Sequence, residues 1–247
     1  MGDLAIQGAK IYYTIPVLGG IPITESLVNT WIIMAVIVGL CAWLTHGMKV
    51  HATSKKQIVA EFLVKTAHGF VTGNMGKKFS HFTPFVATLF TLSMLSNLSS
   101  LLGAFSPTTD LSTELAWALV VFVLITYHKI KAGGVGGYFK GFAEPIFVLT
   151  PFNIISEIAT PISMAFRHFG NVASGSVITT LVYAALAALS HIVLGWLPGF
   201  LGNIPLFQLG IPAILSIYFD LFSGCLQAYI FTMLTMMYIA AADPEED

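Results

Sequence analysis

Residues 161–198 read PISMAFRHFGNVASGSVITTLVYAALAALSHIVLGWLP. Between these two prolines the apolar pattern is almost unbroken, and its one formal charge is Arg167. At 1.5 Å per residue such a run reaches roughly 54 Å, nearly twice the ~30 Å hydrocarbon core of a bilayer. The stretch from Pro212 to about Ala242 is similar, at roughly 45 Å. WLPGFLGNIP (196–205) supplies a turn between them. Either each run contains a break or both helices tilt steeply, and the spacing favours a long antiparallel pair tilted beyond the usual ~20°. Tilt of that size needs a protein partner to set it, and helices lying nearly flat offer that partner a broad side.

Composition agrees with burial in lipid. The chain of 247 residues is 56% hydrophobic and 9% charged, with mean hydropathy +0.83, too few charges to cover a soluble domain. A net charge of −1 gives no electrostatic case for nucleic acid. Cys41 and Cys225 lie in apolar helical patterns and are expected to be small buried hydrophobes, not a disulfide. MGDLAIQGAK at the N-terminus lacks the pattern of a cleavable signal, so the first span is expected to stay.

The chain is expected to form an all-α integral membrane protein and a single membrane domain over 1–247. About five transmembrane helices are expected, with one amphipathic surface helix. The first crossing is SLVNTWIIMAVIVGLCAWLTH, 26–46. Residues 54–72 place Ile58, Phe62, Leu63 and Phe70 at helical spacing with Lys55, Lys56, Glu61 and Lys65 on other faces, as in a helix on the membrane surface. A hairpin of two crossings over 82–130 follows, at about 82–105 and 114–130. A Gly-rich loop, KAGGVGGYFKG (131–141), then leads to the tilted hairpin, 145–242. With the N-terminus outside, nine of the ten lysines fall on the inner side and only Lys10 outside, as the positive-inside rule requires.

Polar residues inside these helices are not scattered. Stepping by three or four through the long helix gives Asn153, Ser156, Thr160, Ser163, Arg167, Asn171 and Ser174, flanked by Glu157 and Gly170. On the last helix the same walk gives Ser216, Asp220, Ser223, Gly224, Gln227 and Thr235. Polar groups in lipid need partners or water, so the two stripes are expected to face each other or an aqueous cavity. Single serines commonly bond their own backbone, but Arg167, Asp220, Gln227, Glu157 and Glu114 are too costly for that reading: a charge at a helix centre costs roughly 2.5–3.5 kcal/mol. A purely structural Arg167–Asp220 pair is the competing account. His46, His51 and His68 belong to interfacial regions; His168 and His191 are expected to pack as neutral imidazoles. No metal-site spacing and no phosphate-binding loop is present in the sequence, and no cofactor is expected.

FRHFGN (166–171) resembles the arginine motif FRLFGN of subunit a of rotary F-type ATP synthases. LQAYIFTMLTMMYIAAA (226–242) resembles that family's terminal helix, with its glutamine before an aromatic-rich run. FTPFVATLFTLSMLSNLSSLLG (82–103) and PTTDLS (107–112) are similar to its middle hairpin, including Asn97 and Asp110. Glu157, ten residues before the arginine, also fits, and the similarity covers most of 80–242.

The resemblance implies a stator in a bacterial plasma membrane, N-terminus outside and C-terminus cytoplasmic. Its partners would be a rotating c-subunit ring, peripheral-stalk b subunits, the rest of the ATP synthase complex and membrane lipid. Two offset half-channels would feed H⁺ to one carboxylate on each ring subunit, with Arg167 discharging that carboxylate and separating the channels. The chain would be no enzyme on its own. This sequence departs from the pattern at Ser176, where many members carry glutamate, and at Asp220, where some have histidine or glutamate. Asp220 is therefore expected to supply the external carboxylate that Ser176 cannot. Glu114, where threonine is frequent, would add a titratable group on that side, and Glu157 would serve the cytoplasmic half-channel.

Two other classes remain. A secondary transporter would bind an anionic solute at Arg167 and Asp220, but no inverted repeat is visible. An intramembrane hydrolase would need a positioned nucleophile, and no such constellation appears.

Overall fold

The computed structural model describes residues 8–16, 20–50, 54–144, 146–194, 207, 215 and 217–243. It opens with a two-stranded antiparallel hairpin, β1 (Ile11–Ile15) and β2 (Ile21–Thr24). The sequence reading assigned no strand there. The β-branched and aromatic run IYYTI, repeated as IPIT across a Gly-Gly pair, is the signal it passed over.

Five described helices are long and apolar enough to cross a membrane. The first, α1 (Glu25–Thr45), packs weakly: its buried residues are Ser26 and Thr30, and Trp31, Ile32, Val38 and Trp43 all point outward. It is fastened at one end, where Asn29 Nδ2 donates to the Phe105 carbonyl at 2.8 Å. α2 (Lys55–Met75) starts at Ser54, whose hydroxyl accepts from the Gln57 amide, and ends at Gly76, φ 89°. It buries Gln57, Ala60, Val71 and Met75 while Ile58, Phe62 and Leu63 stay exposed. A 3₁₀ turn, Lys77–Phe82, feeds α3 (Thr83–Leu98), with Pro84 in the first helical turn where its missing N–H costs nothing.

α4 (Leu111–Gly141) begins at Asp110, which accepts from the Ser112 amide at 3.0 Å. It corrects one expectation. The Gly-rich 131–141 is not a loop but a helical continuation, kinked at Gly134 (φ 69°, ψ 169°), a backbone setting that glycine adopts without strain. Tyr138, Phe139 and Phe142 stack around that continuation, with Tyr138 and Phe142 ring centroids 5.0 Å apart, and Lys140 pairs with Glu144 one turn on.

α5 (Thr150–Leu194) runs 45 residues through Pro161, roughly 68 Å by helical rise. The over-long first arm of the expected hairpin is thus one helix without a break. The turn expected at 196–205 lies outside the described residues. The second arm is not uniform: a π-helical segment, Ile217–Ser223, precedes α6 (Gly224–Ala242).

The core lies between α2, α3, α4 and α6. Val71, Phe79, Val86, Val121, Phe231, Met236 and Ile239 are almost wholly buried there, with Met164 and Ala165 of α5 closing one side. At the end of α6, Lys78 Nζ meets the Asp243 carboxylate at 2.6 Å, and that contact holds the Asp243 carboxyl below its ordinary range. Both cysteines are free, as expected, but neither is buried: Cys41 is exposed because α1 has so little protein around it, and Cys225 is half-buried. His191 is likewise exposed, not packed.

Candidate functional site

Arg167 lies on the exposed side of α5, and no hydrogen bond or ion pair joins its guanidinium to any described residue. The opposite side of the helix explains this setting. Pro161, Met164, Ala165, His168, Gly175 and Ser190 are its described buried residues, spaced to form one face. At 100° per residue Arg167 falls well away from that face, with Ser156, Ser163 and Ser174, which are also exposed. A charge is thus displayed midway along a helix of membrane-spanning hydropathy.

Among the described side chains, the two polar stripes meet at one point. Asn171 Nδ2 donates to Gln227 Oε1 at 2.7 Å, linking α5 to α6 one turn beyond Arg167. Gln227 is 2% exposed, whereas Asn171 is open to the outside. Ser174 donates to the Asn171 carbonyl at 3.2 Å. Asp220 belongs to the π segment and Ser176 to α5, but their side chains lie outside the described residues.

Behind Arg167 sits a second, closed cluster. Glu114 and His168 are both 0% exposed, with carboxylate and Nδ1 3.0 Å apart. Asn97 Nδ2 lies 3.3 Å from His168 Nε2 and donates to the Gly224 carbonyl at 2.7 Å. Thr108 donates to Asn97 Oδ1 at 2.6 Å, and its own hydroxyl neighbours that of Ser106 at 2.7 Å. Asn97 thereby joins α3, α5, α6 and the 107–109 turn. Gly224 is needed for that approach, since a Cβ there would meet Asn97 Cβ at 3.1 Å.

Glu157 stands about 15 Å from Arg167 along α5. Lys129 Nζ reaches both its oxygens, at 2.9 and 2.6 Å, and Tyr138 donates at 3.4 Å. Asp110 caps α4 and accepts from Ser26 at 2.5 Å and Ser112 at 2.7 Å. Burial works against the Asp110 carboxylate, but these hydroxyls and the Ser112 amide outweigh it and hold its carboxyl below the ordinary range. The structure therefore gathers Arg167, Asn171, Ser174 and Gln227 on one side and places Glu114 behind them. Glu157 and Asp110 sit apart.

The sequence reading treated His168 as a bystander, gave Asn97 no role, and used Lys129 only to orient the spans. The one signal available for His168 was its place within the arginine motif.

This arrangement has a counterpart in a known family: the family model described as ATP synthase A chain matches residues 27–240. The chain belongs to the ATP synthase A chain family. Subunit a 2 of a Bradyrhizobium species is 33% identical over 226 residues, covering 91% of each chain. Subunit a of Desulforamulus reducens is 32% identical, over 87% of this chain and 78% of that one. A relative from Propionigenium modestum, described as ATP synthase subunit a, sodium ion specific, is 32% identical over 89% of this chain and 74% of its own. As a member of the ATP synthase A chain family, the protein is a multi-pass, ion-translocating membrane subunit of the ATP synthase complex.

Proposed function

We propose that the chain is the Fo stator that presses against a ring of c subunits and provides two offset half-channels for H⁺. Its N-terminus lies outside a bacterial plasma membrane, its C-terminus is cytoplasmic, and b subunits of the peripheral stalk hold it in place. The observation that carries this reading is the exposed Arg167, displayed where lipid would be a poor neighbour. Arginine stays protonated when poorly hydrated. As each ring carboxylate passes, the fixed cation lowers its pKa by about 1–3 units and favours proton release. The same cation bars direct passage between the half-channels, so about 2.3 kcal/mol per charge per 100 mV is spent on rotation and not on leakage.

Asp220, with Asn171, Ser174, Ser176 and Gln227, forms the external pathway, with Glu114 behind it and Asp110 at the hairpin turn. Glu157 belongs to the cytoplasmic one, where Lys129 and Tyr138 set its orientation. The sodium-specific relative is no more similar to this chain than the others, and H⁺ is the ion assigned here.

The direct test uses Ser163→Cys, one turn before Arg167 on the exposed side. In the assembled complex it is expected to form a disulfide with a cysteine placed beside the ring carboxylate. An assembled complex in which no ring cysteine reacts would overturn the proposal. For the external carboxylate, Asp220→Asn is expected to slow H⁺-driven ATP synthesis about a hundredfold, the lower end of what a positioned proton-transfer group supplies. Wild-type synthesis in membrane vesicles would remove Asp220 from the pathway.

A further inference from the structure

The Glu114–His168 pair lies beside the exposed cation, yet no described hydrogen bond joins it to Asn171, Ser174 or Gln227. Both residues depart from the motifs this chain resembles: His168 takes the place of leucine in FRLFGN, and Glu114 stands where threonine is frequent. The two departures, on different helices, meet each other at 3.0 Å with no exposure at all. The contact is a close approach and not an aligned hydrogen bond: neither Glu114 oxygen nor His168 Nδ1 has a hydrogen-bond partner among the described residues. Rings close the sides, with Trp117 and Phe231 centroids 6.3 and 5.5 Å from that of His168. Among the described residues, the one hydrogen-bonded way out passes through Asn97, to Thr108 and Ser106. A carboxamide has no hydroxyl to hand a proton along, so Asn97 interrupts that line.

We propose that Glu114 and His168 are positioning residues that fix the rotation of α5 about its axis and so aim Arg167 at the ring. This rests on the stator reading above, since it supplies the target. His168 is gripped from three directions: Glu114 of α4, Asn97 of α3 and the Phe231 ring of α6. Arg167 is the next residue, 100° around the helix, so its direction follows from that grip. A helix with its side chains is about 10–12 Å across, and a 20° turn moves a surface group by roughly 2 Å. Misplacement by about 1 Å can cost a hundredfold where a reacting group must be met in register. A polar pair buried this fully is intolerant of losing one member, because the other stays behind without its neighbour. Removing both together, or exchanging them, leaves no such orphan.

The experiment compares Glu114→Thr, His168→Leu, the double replacement E114T/H168L and the exchange E114H/H168E. All are built on Ser163→Cys with a ring cysteine and measured per assembled complex. Each single change is expected to lower H⁺-driven synthesis about a hundredfold and to move the disulfide from a cysteine at position 163 toward one at 162 or 166. The double replacement and the exchange are expected to restore both the rate and the disulfide position. A loss of fold alone would lower the amount of complex without moving the disulfide. Single changes that keep the wild-type rate and disulfide overturn the inference, as does an exchange that assembles or works no better than the singles. If Ser163→Cys fails to join the ring with Glu114 and His168 intact, the stator reading itself falls, so the two failures are distinct.

Discussion

Arg167→Ala is expected to reduce ion-driven ATP synthesis to below about 1% of wild type, the scale lost when a preorganised charge is removed from a transition it stabilises. Passive H⁺ conduction through the same membranes should persist or rise, because the barrier between the half-channels goes with the guanidinium. The folded subunit should survive, since Arg167 is exposed and holds no other described residue in place. That combination separates this residue from a structural one: synthesis lost, leak retained, assembly normal. Arg167→Lys gives a finer reading. Lysine keeps a charge in water but sheds its proton readily when desolvated, and it lacks the rigid planar fork. It should retain the barrier only in part. Synthesis and tightness are measured together on inverted vesicles, by ATP formation and by decay of an imposed pH gradient. Undiminished ATP formation in the alanine variant would contradict the assignment of Arg167.

Asn97→Leu is expected to be the most damaging change outside the arginine. It takes the acceptor Asn97 Oδ1 from the Thr108 hydroxyl, which keeps only Ser106, leaves His168 Nε2 without its described partner, and removes a donor from the Gly224 carbonyl. Each buried polar group deprived of its partner costs roughly 1–3 kcal/mol, although hydrogen bonds measured between membrane helices average nearer 0.6. Three such losses at one junction of α3, α5 and α6 are a large share of an ordinary stability of roughly 5–15 kcal/mol. The complex should lose this subunit at a detergent concentration or temperature that the wild type withstands. Thr108→Val, which removes one of the three Asn97 bonds together with the Ser106 contact, should shift that threshold less than Asn97→Leu does. Equal thresholds for Asn97→Leu and wild type would show that Asn97 is not the junction.

Much of the architecture is legible in the residues, because hydrophobic length is a local property. The crossings at 26–46 and 82–105 overlap α1 and the 3₁₀–α3 run, and 161–194 of the over-long run lies in α5. Three features are not local, and the reading passed over them. Glycines at 133, 134, 136 and 137 signal a loop until the aromatic packing of Tyr138 and Phe142 is known. The partner of Glu114 lies 54 positions away, so nothing near it in the sequence names His168. Asn97 resembled a family position but acquires a role only when four elements converge on it. The arginine itself was legible for the opposite reason: its cost is intrinsic to its position and needs no partner to be noticed.

The π segment has a consequence for how the last helix is read. An i→i+5 closure packs more residues into each revolution than the i→i+4 closure that follows it, and a single added residue turns all that precedes it by about 100°. Ile217–Ser223 is therefore out of phase with Gly224–Ala242. The step from Gln227 back to Asp220, natural on an unbroken α-helix, here crosses a change of helical pitch. A one-residue deletion there would act like slipping a gear by a tooth, resetting the angular origin for everything upstream while leaving Gln227 untouched.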